Sequence, residues 1–257
     1  MLNRIFIVFF SFISASCYSQ VDYGLLKNWK IHEIPSNSDT LRKYNNSVND
    51  WSVFIRNNTL TVIKRKQYDD QSILPFDVKP KGDEKSKMSG RISLIKVEDG
   101  YLVGFNRGEW GGYLYWFSKD GSNHYLISND QVVQFINKKG QNYAIQGLAH
   151  LTMSEGSIIK IEKKNNKWLA HEYVSLPTAP EAIGLDIDDN FLIMTSKSLL
   201  KIEDNKKIQT LIGRGFWYDD LTTNSMVISN NIIYAGMTAG VFKYDLSNGK
   251  QEWLLPY

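Results

Sequence analysis

The chain has 257 residues, of which 42% are hydrophobic and 13% aromatic, enough apolar material for one sizeable core. Its 30 basic and 27 acidic residues leave a formal charge of only +3, and no Arg/Lys cluster stands beside exposed aromatics, which argues against nucleic acid as a partner. Cys17 is the only cysteine and lies outside the expected folded domain, which excludes a disulfide framework and thiol chemistry there.

In chain order, residues 1–19 read as a secretory signal. Arg4 supplies a positive start, Ile5 to Ile13 (IFIVFFSFI) an apolar run, and Ser14, Ala15, Ser16 and Ser19 the small residues of a cleavage region. The run is shorter than the ~20 apolar residues a membrane span needs. Cleavage after Ser19 leaves Gln20 first and an exported soluble protein, periplasmic or extracellular. Cleavage before Cys17 instead gives a lipid-anchored N-terminus, although Ser14 stands where a lipobox prefers Leu, and an uncleaved anchor is the third outcome. Residues 20–50 form an arm with one expected strand, NWKIHEIP from Asn28, which either adds to a sheet or latches the fold.

From residue 51 to 257 the chain repeats itself. Five segments share a strand, a polar turn and a second strand: SVFIRNNTLTVI from Ser52, SLIKVEDGYLVGF from Ser93, VVQFINKKGQNYAI from Val132, AIGLDIDDNFLIM from Ala182 and MVISNNIIYAG from Met226. The turn pairs Asn57-Asn58, Asp99-Gly100, Lys139-Gly140, Asp189-Asn190 and Asn230-Asn231 are rich in residues that tolerate positive φ. They recur roughly every 40–50 residues, near the length of a propeller blade. Third strands follow at Tyr113, Ile158, Leu199 and Val241, and fourth strands at His124, Lys167, Lys207 and Gln251. After Lys64 the first unit degenerates into a charged stretch in which only SILPFDV, from Ser72, reads as a strand. No segment of the mature chain sustains an apolar period of 3.6.

Units this small must stack, and a ring of five closes the array without long free edges. The expected fold is all-β, a β-propeller of five four-stranded antiparallel blades; four to six blades and a β-sandwich are the rivals. The strand–turn–strand rhythm resembles YVTN, NHL and PQQ-type propeller repeats over residues 51–257, and the WD dipeptide is absent. That resemblance implies architecture alone, because propellers serve as enzymes, lectins and scaffolds.

A meander sends alternate connections to opposite faces. One face receives short turns; the other receives NRGEWGG (106–112), GLAHLTMSEGS (147–157), TSKS (195–198), MTAG (237–240), LPTAPE (176–181) and GRGFWYDDLTTN (213–224). Binding residues usually sit on such loops. In the first, Arg107 and Glu109 can meet a polar ligand while Trp110 stacks on it; a structural ion pair with a packed Trp110 is the alternative. Arg214, Trp217, Tyr218, Asp219 and Asp220 offer a second aromatic and acidic group, or a plug of the ring. His150 is the one histidine on this face, a candidate base or a hydrogen-bond donor.

No HExxH, CxxC, G-x-S-x-G or phosphate-binding glycine motif is present, so neither a metal nor a cofactor is expected. The sequence favours a monomeric, non-catalytic binding module for an extracytoplasmic protein, peptide or glycan. The alternative is a periplasmic or secreted hydrolase or lyase of a polar polymer, with Arg107 on an anionic group and Glu109, His150 or Asp219 as acid and base. A structural domain of an envelope assembly is the third reading.

Overall fold

A computed structural model describes residues 26–65, 74–218 and 220–256. The expected signal, Cys17 and Asp219 lie outside them. Strand β1 (Lys30–His32) and helix α1 (Ser38–Asn45) precede five antiparallel sheets. Sheet I holds β2 (Asp50–Arg56) and β3 (Thr59–Arg65). Sheet II holds β4 (Arg91–Val97), β5 (Gly100–Asn106), β6 (Gly112–Ser118) and β7 (His124–Ser128). Sheet III holds β8 (Val132–Lys138), β9 (Gln141–His150), β10 (Met153–Lys164) and β11 (Lys167–Leu176). Sheet IV holds β12 (Pro180–Leu185), β13 (Phe191–Thr195), β14 (Leu199–Ile202) and β15 (Ile208–Ile212). Sheet V holds β16 (Thr223–Ser229), β17 (Ile232–Met237), β18 (Val241–Asp245) and β19 (Gln251–Leu255), with β1 paired outside β19. The fold is therefore all-β, built on four-stranded meanders. The first strands of all five sheets border one axial cavity of about 360 Å³.

The turn chemistry accounts for much of this. Asn57-Asn58, Lys139-Gly140 and Asn230-Asn231 all adopt positive φ, as tight hairpins require. The second hairpin departs from expectation: its two connecting residues are Glu98 and Asp99, and Gly100 already pairs with Val97. Gly100 is needed for space, since a Cβ there would lie 1.9 Å from the Phe117 carbonyl oxygen. In sheet IV the connection widens to Asp186–Asn190, organised by Asp186 Oδ1, which accepts from the backbone N–H of Asp188 and Asn190.

Alternation along the strands gives each sheet two apolar faces, and these make the seams. Leu102 and Leu114 of sheet II meet Ala144, Ile159 and Trp168 of sheet III. Ile145 and Ile158 meet Ile183 and Phe191 of sheet IV. Leu192 and Met194 meet Phe242 and Trp253 of sheet V, and Tyr234 and Val241 meet Val53 and Val62 of sheet I. The other face of sheet II, formed by Val103, Phe105, Tyr115 and Phe117, is covered differently. Sheet I has only two strands among the described residues, not the expected four, and Leu74–Val78 is not a strand. Leu74, Phe76, Val78 and Met88 instead lie over that face, with Phe76 5.3 Å from Phe117 and 5.6 Å from Tyr101 between ring centroids.

The described part of the arm adds a strand to sheet V. Lys30, Ile31 and His32 pair with Leu255, Leu254 and Trp253. The chain then passes through α1, capped by Asn37 Oδ1 accepting from Thr40 N, into sheet I. Sheet I is tied back to sheet V where Val53 N donates to Ser225 Oγ at 2.7 Å and Asn224 Nδ2 donates to the Trp51 carbonyl at 3.2 Å.

One polar bracket crosses a seam. Asp99 Oδ1 accepts from the indole N–H of Trp116 in sheet II at 3.1 Å and of Trp168 in sheet III at 3.0 Å, while Oδ2 faces Lys163 Nζ at 2.8 Å. Burial pushes the Asp99 carboxyl up, but the bonds from Lys163, Trp168 and Trp116 outweigh it and hold the group below the usual carboxylate range. Asp99→Ala leaves both indoles without an acceptor and should cost about 2–3 kcal/mol in urea unfolding. Asp99→Asn, which keeps an acceptor oxygen, should cost about half as much.

Candidate functional site

The loop 106–112 is held rigidly at its base. Asn106 Oδ1 accepts from Gly108 N at 2.9 Å and from the buried Gln131 Nε2 at 3.0 Å, and Gln131 Nε2 also donates to the Gly108 carbonyl at 2.8 Å. Gly108 and Gly111 take positive φ. This frame leaves Trp110 70% exposed. It also sets Glu109 Oε2 3.2 Å from His150 Nε2, so two candidates from neighbouring sheets meet. Arg107 is half-buried at the start of the turn, where its backbone N donates to the Gly111 carbonyl at 2.9 Å.

The segment 147–157, expected as a loop, is instead the end of a long hairpin. β9 and β10 pair without interruption up to His150 opposite Met153. Gly147 and Gly156 face each other because Pro180 packs on them: a Cβ on Gly156 would come 2.4 Å from Pro180 Cδ. The hairpin tip projects beyond the sheet, with Leu151 at positive φ and 92% exposed and Met153 57% exposed. Ser154 Oγ anchors its flank, accepting from Ala179 N at 3.0 Å and hydrogen-bonding Ser196 Oγ at 3.1 Å.

The loop from Gly213 turns inward. Trp217 is fully buried in the seam between sheets IV and V and donates Nε1–H to the Thr195 carbonyl at 2.9 Å. It is a core residue, and a ligand cannot stack on it. Phe216 packs on Phe242 and Trp253 beside it. Tyr218 stays at the surface, with the Arg214 guanidinium 4.2 Å and the Lys197 ammonium 5.6 Å from its ring centroid.

Between the hairpin and this loop lies a cleft of about 700 Å³, bordered by His150, Leu151 and Met153 on one side and Lys197, Tyr218 and Asp220 on the other. Glu181 closes its floor and also borders the axial cavity. Glu181 Oε2 accepts from Thr223 N at 2.8 Å. Burial pushes this carboxyl up to about 7, against the opposing pull of that N–H. No ion pair to it is present among the described residues.

The structure thus gathers His150, Tyr218 and Asp220 around one cleft, hangs Glu109 on His150, and sets Trp110 and Arg107 on the adjoining loop. Lys197 and the Leu151/Met153 tip are additions that sequence reasoning passed over. Glu181 stood in LPTAPE as one acid among several, and nothing local in that hexapeptide reports its burial. No group of three or more His, Cys, Asp and Glu residues close enough to hold a metal occurs among the described residues. No helix among them is long and apolar enough to cross a membrane.

No protein-family profile matches the chain, and no curated protein matches it either. Among solved structures it is similar to the extracellular domain of BT4673 from B. thetaiotaomicron, at 15% identity and a TM-score of 0.48 over 79% of this chain and 27% of that one. It is similar to a catalytically inactive virginiamycin B lyase from Staphylococcus aureus, at 12% identity and a TM-score of 0.46 over 89% and 75%. It is also similar to a gluconolactonase from Xanthomonas campestris, at 14% identity and a TM-score of 0.39 over 63% and 55%. The chain spans about a quarter of the length of the BT4673 domain.

Proposed function

We propose that this chain is an exported, monomeric five-bladed β-propeller whose loop face binds a peptide or protein segment without turning it over. The cleft carries the reading: a polar hollow of about 700 Å³ rimmed by the exposed apolar side chains of Leu151 and Met153, with Trp110 on the adjoining loop. Aromatic and aliphatic anchors around a polar floor suit a peptide backbone with side chains of both kinds better than a uniformly hydroxylated polymer. The five first strands around one axial cavity support the blade count, with sheet I as a shortened blade.

The test is a peptide array and a glycan array probed with the chain from Gln20, followed by calorimetry on the best binders. His150→Ala and Asp220→Ala should each weaken the best peptide by about 5–30-fold, or about 1–2 kcal/mol, with unfolding midpoints unchanged. Selective capture of glycans with no peptide binding sinks the peptide reading. Mass spectrometry of the exported protein distinguishes a Gln20 start from a lipidated Cys17.

One observation favours the hydrolase or lyase reading: His150, whose imidazole Nε2 lies 3.2 Å from Glu109 Oε2, borders the cleft, where a general base would be needed. Against it, Arg107 does not border the cleft. Turnover of a polar polymer by the wild type that disappears in His150→Ala would establish that reading in place of the first.

A further inference from the structure

We infer that the cleft takes a primary ammonium group of the kind a lysine side chain of a peptide carries, and that Glu181 is the carboxyl that receives it. This rests on the cleft being the peptide site proposed above. Glu181 sits at the start of β12, where the cleft meets the axial cavity. One of its oxygens is occupied by the Thr223 N–H.

The ionisable groups facing Glu181 are few. From the cleft they are His150 on β9, Lys197 on the 195–198 turn, and Tyr218 and Asp220 on the following loop; from the axial cavity there is Arg91 at the start of β4. His150 is engaged by Glu109, Lys197 lies against the Tyr218 ring, and Arg91 has contacts of its own. Asp220 forms no ion pair among the described residues. Once Glu181 ionises, the hollow therefore holds two carboxylates, Glu181 and Asp220, and a single ammonium, that of Lys197, which lies against the Tyr218 ring. Glu181 is half-buried, and a carboxylate so shielded from water without a counter-charge is costly; a cation brought by the ligand removes that cost.

Two details select the cation. With Oε2 already accepting from Thr223 N, only Oε1 has all of its accepting capacity open, which suits the single close contact of an ammonium better than the two parallel bonds of a guanidinium. Leu151 and Met153 at the rim offer apolar surface along which a four-carbon stem can lie.

The proton balance is simple. The ammonium keeps its three hydrogens, the carboxyl proton of Glu181 passes to solvent, and no bond to carbon changes. Because burial holds the carboxyl at about 7 in the free protein, the ionised fraction rises about 10-fold from pH 6 to pH 8, and the affinity for the ammonium should rise with it.

The experiment is an NMR-detected titration of the chain from Gln20 with acetyl-Gly-Lys-Gly-amide at pH 6 and pH 8. The same peptide carrying Nε-acetyl-lysine, and glucosamine, serve as comparison ligands. The expected result is a shift of the Thr223 amide with affinity about 10-fold higher at pH 8, lost in Glu181→Gln and absent with the acetylated peptide. Equal binding by Glu181→Gln, a flat pH response, equal binding of the acetylated peptide, or binding of glucosamine alone overturns the inference. If array peptides lacking a cation bind the cleft while the lysine peptide does not, the inference fails and the peptide-binding function stands. If no peptide perturbs the cleft, both fail.

Discussion

Trp217→Ala is expected to lower the unfolding free energy by about 3–5 kcal/mol, the usual range for removing a buried Trp from a core. The side chain has no exposed surface, lies among Leu192, Met194 and Phe242 where sheets IV and V meet, and donates its one N–H to the Thr195 carbonyl. Alanine leaves a cavity and an unanswered backbone acceptor. Trp217→Phe, which loses the hydrogen bond but only part of the ring volume, should cost less than Trp217→Ala. Trp110→Ala is the contrasting case: with 70% of the side chain exposed, its stability should change by no more than about 0.5 kcal/mol. Denaturant unfolding of the three variants checks both statements, and a Trp217→Ala cost below 1 kcal/mol would contradict the packing described above.

Glu181→Gln is expected to stabilise the protein at pH 8 by about 2–3 kcal/mol and to leave it nearly unchanged at pH 4. In the folded chain burial keeps the Glu181 proton on up to about pH 7, whereas the unfolded chain gives it up near 4.5. Between those values unfolding releases a proton, so wild-type stability falls as pH rises through the window and levels off above 7. A difference of about 2.5 pH units corresponds to about 3 kcal/mol. Glutamine keeps an oxygen for the Thr223 N–H and has nothing to ionise, so the variant should lack this loss. Subtracting wild-type from variant stability at pH 4, 6 and 8 isolates Glu181 from every other titrating group. A difference that stays flat with pH would mean that the Glu181 carboxyl titrates alike in the folded and the unfolded chain.

The hairpins around Asn57-Asn58, Lys139-Gly140 and Asn230-Asn231 were legible because the signal is local: those residues fit positive φ and the flanking strands alternate. Third and fourth strands were legible for the same reason, as short apolar runs between turn residues. The meander then assigned the connections to two faces, which is why Glu109 and His150, 41 positions apart, could be expected on one side.

What stayed hidden depends on distant partners. Gly147 and Gly156 look like loop residues until Pro180 is seen against them. Phe216, Trp217 and Tyr218 are adjacent aromatics in a polar loop, and only the gap between sheets IV and V decides that the second goes inward and the third outward. The shortened sheet I was foreshadowed by the charged stretch after Lys64, but not the use of Leu74, Phe76 and Val78 to cover sheet II without forming a strand.

The pairing of β1 with β19 has a kinetic consequence. Lys30 and Leu255 are about 225 residues apart in the chain, so bringing them together costs roughly 5 kcal/mol of loop-closure entropy beyond a constant. Three residues of strand, most of whose side-chain surface is open to water, return little of that on their own. This contact can form only after the intervening sheets have shortened the distance, which makes it a late event in folding and the natural starting point for opening. Each meander collapses from near-neighbour contacts in its own stretch of chain, while the final clasp waits on all of them.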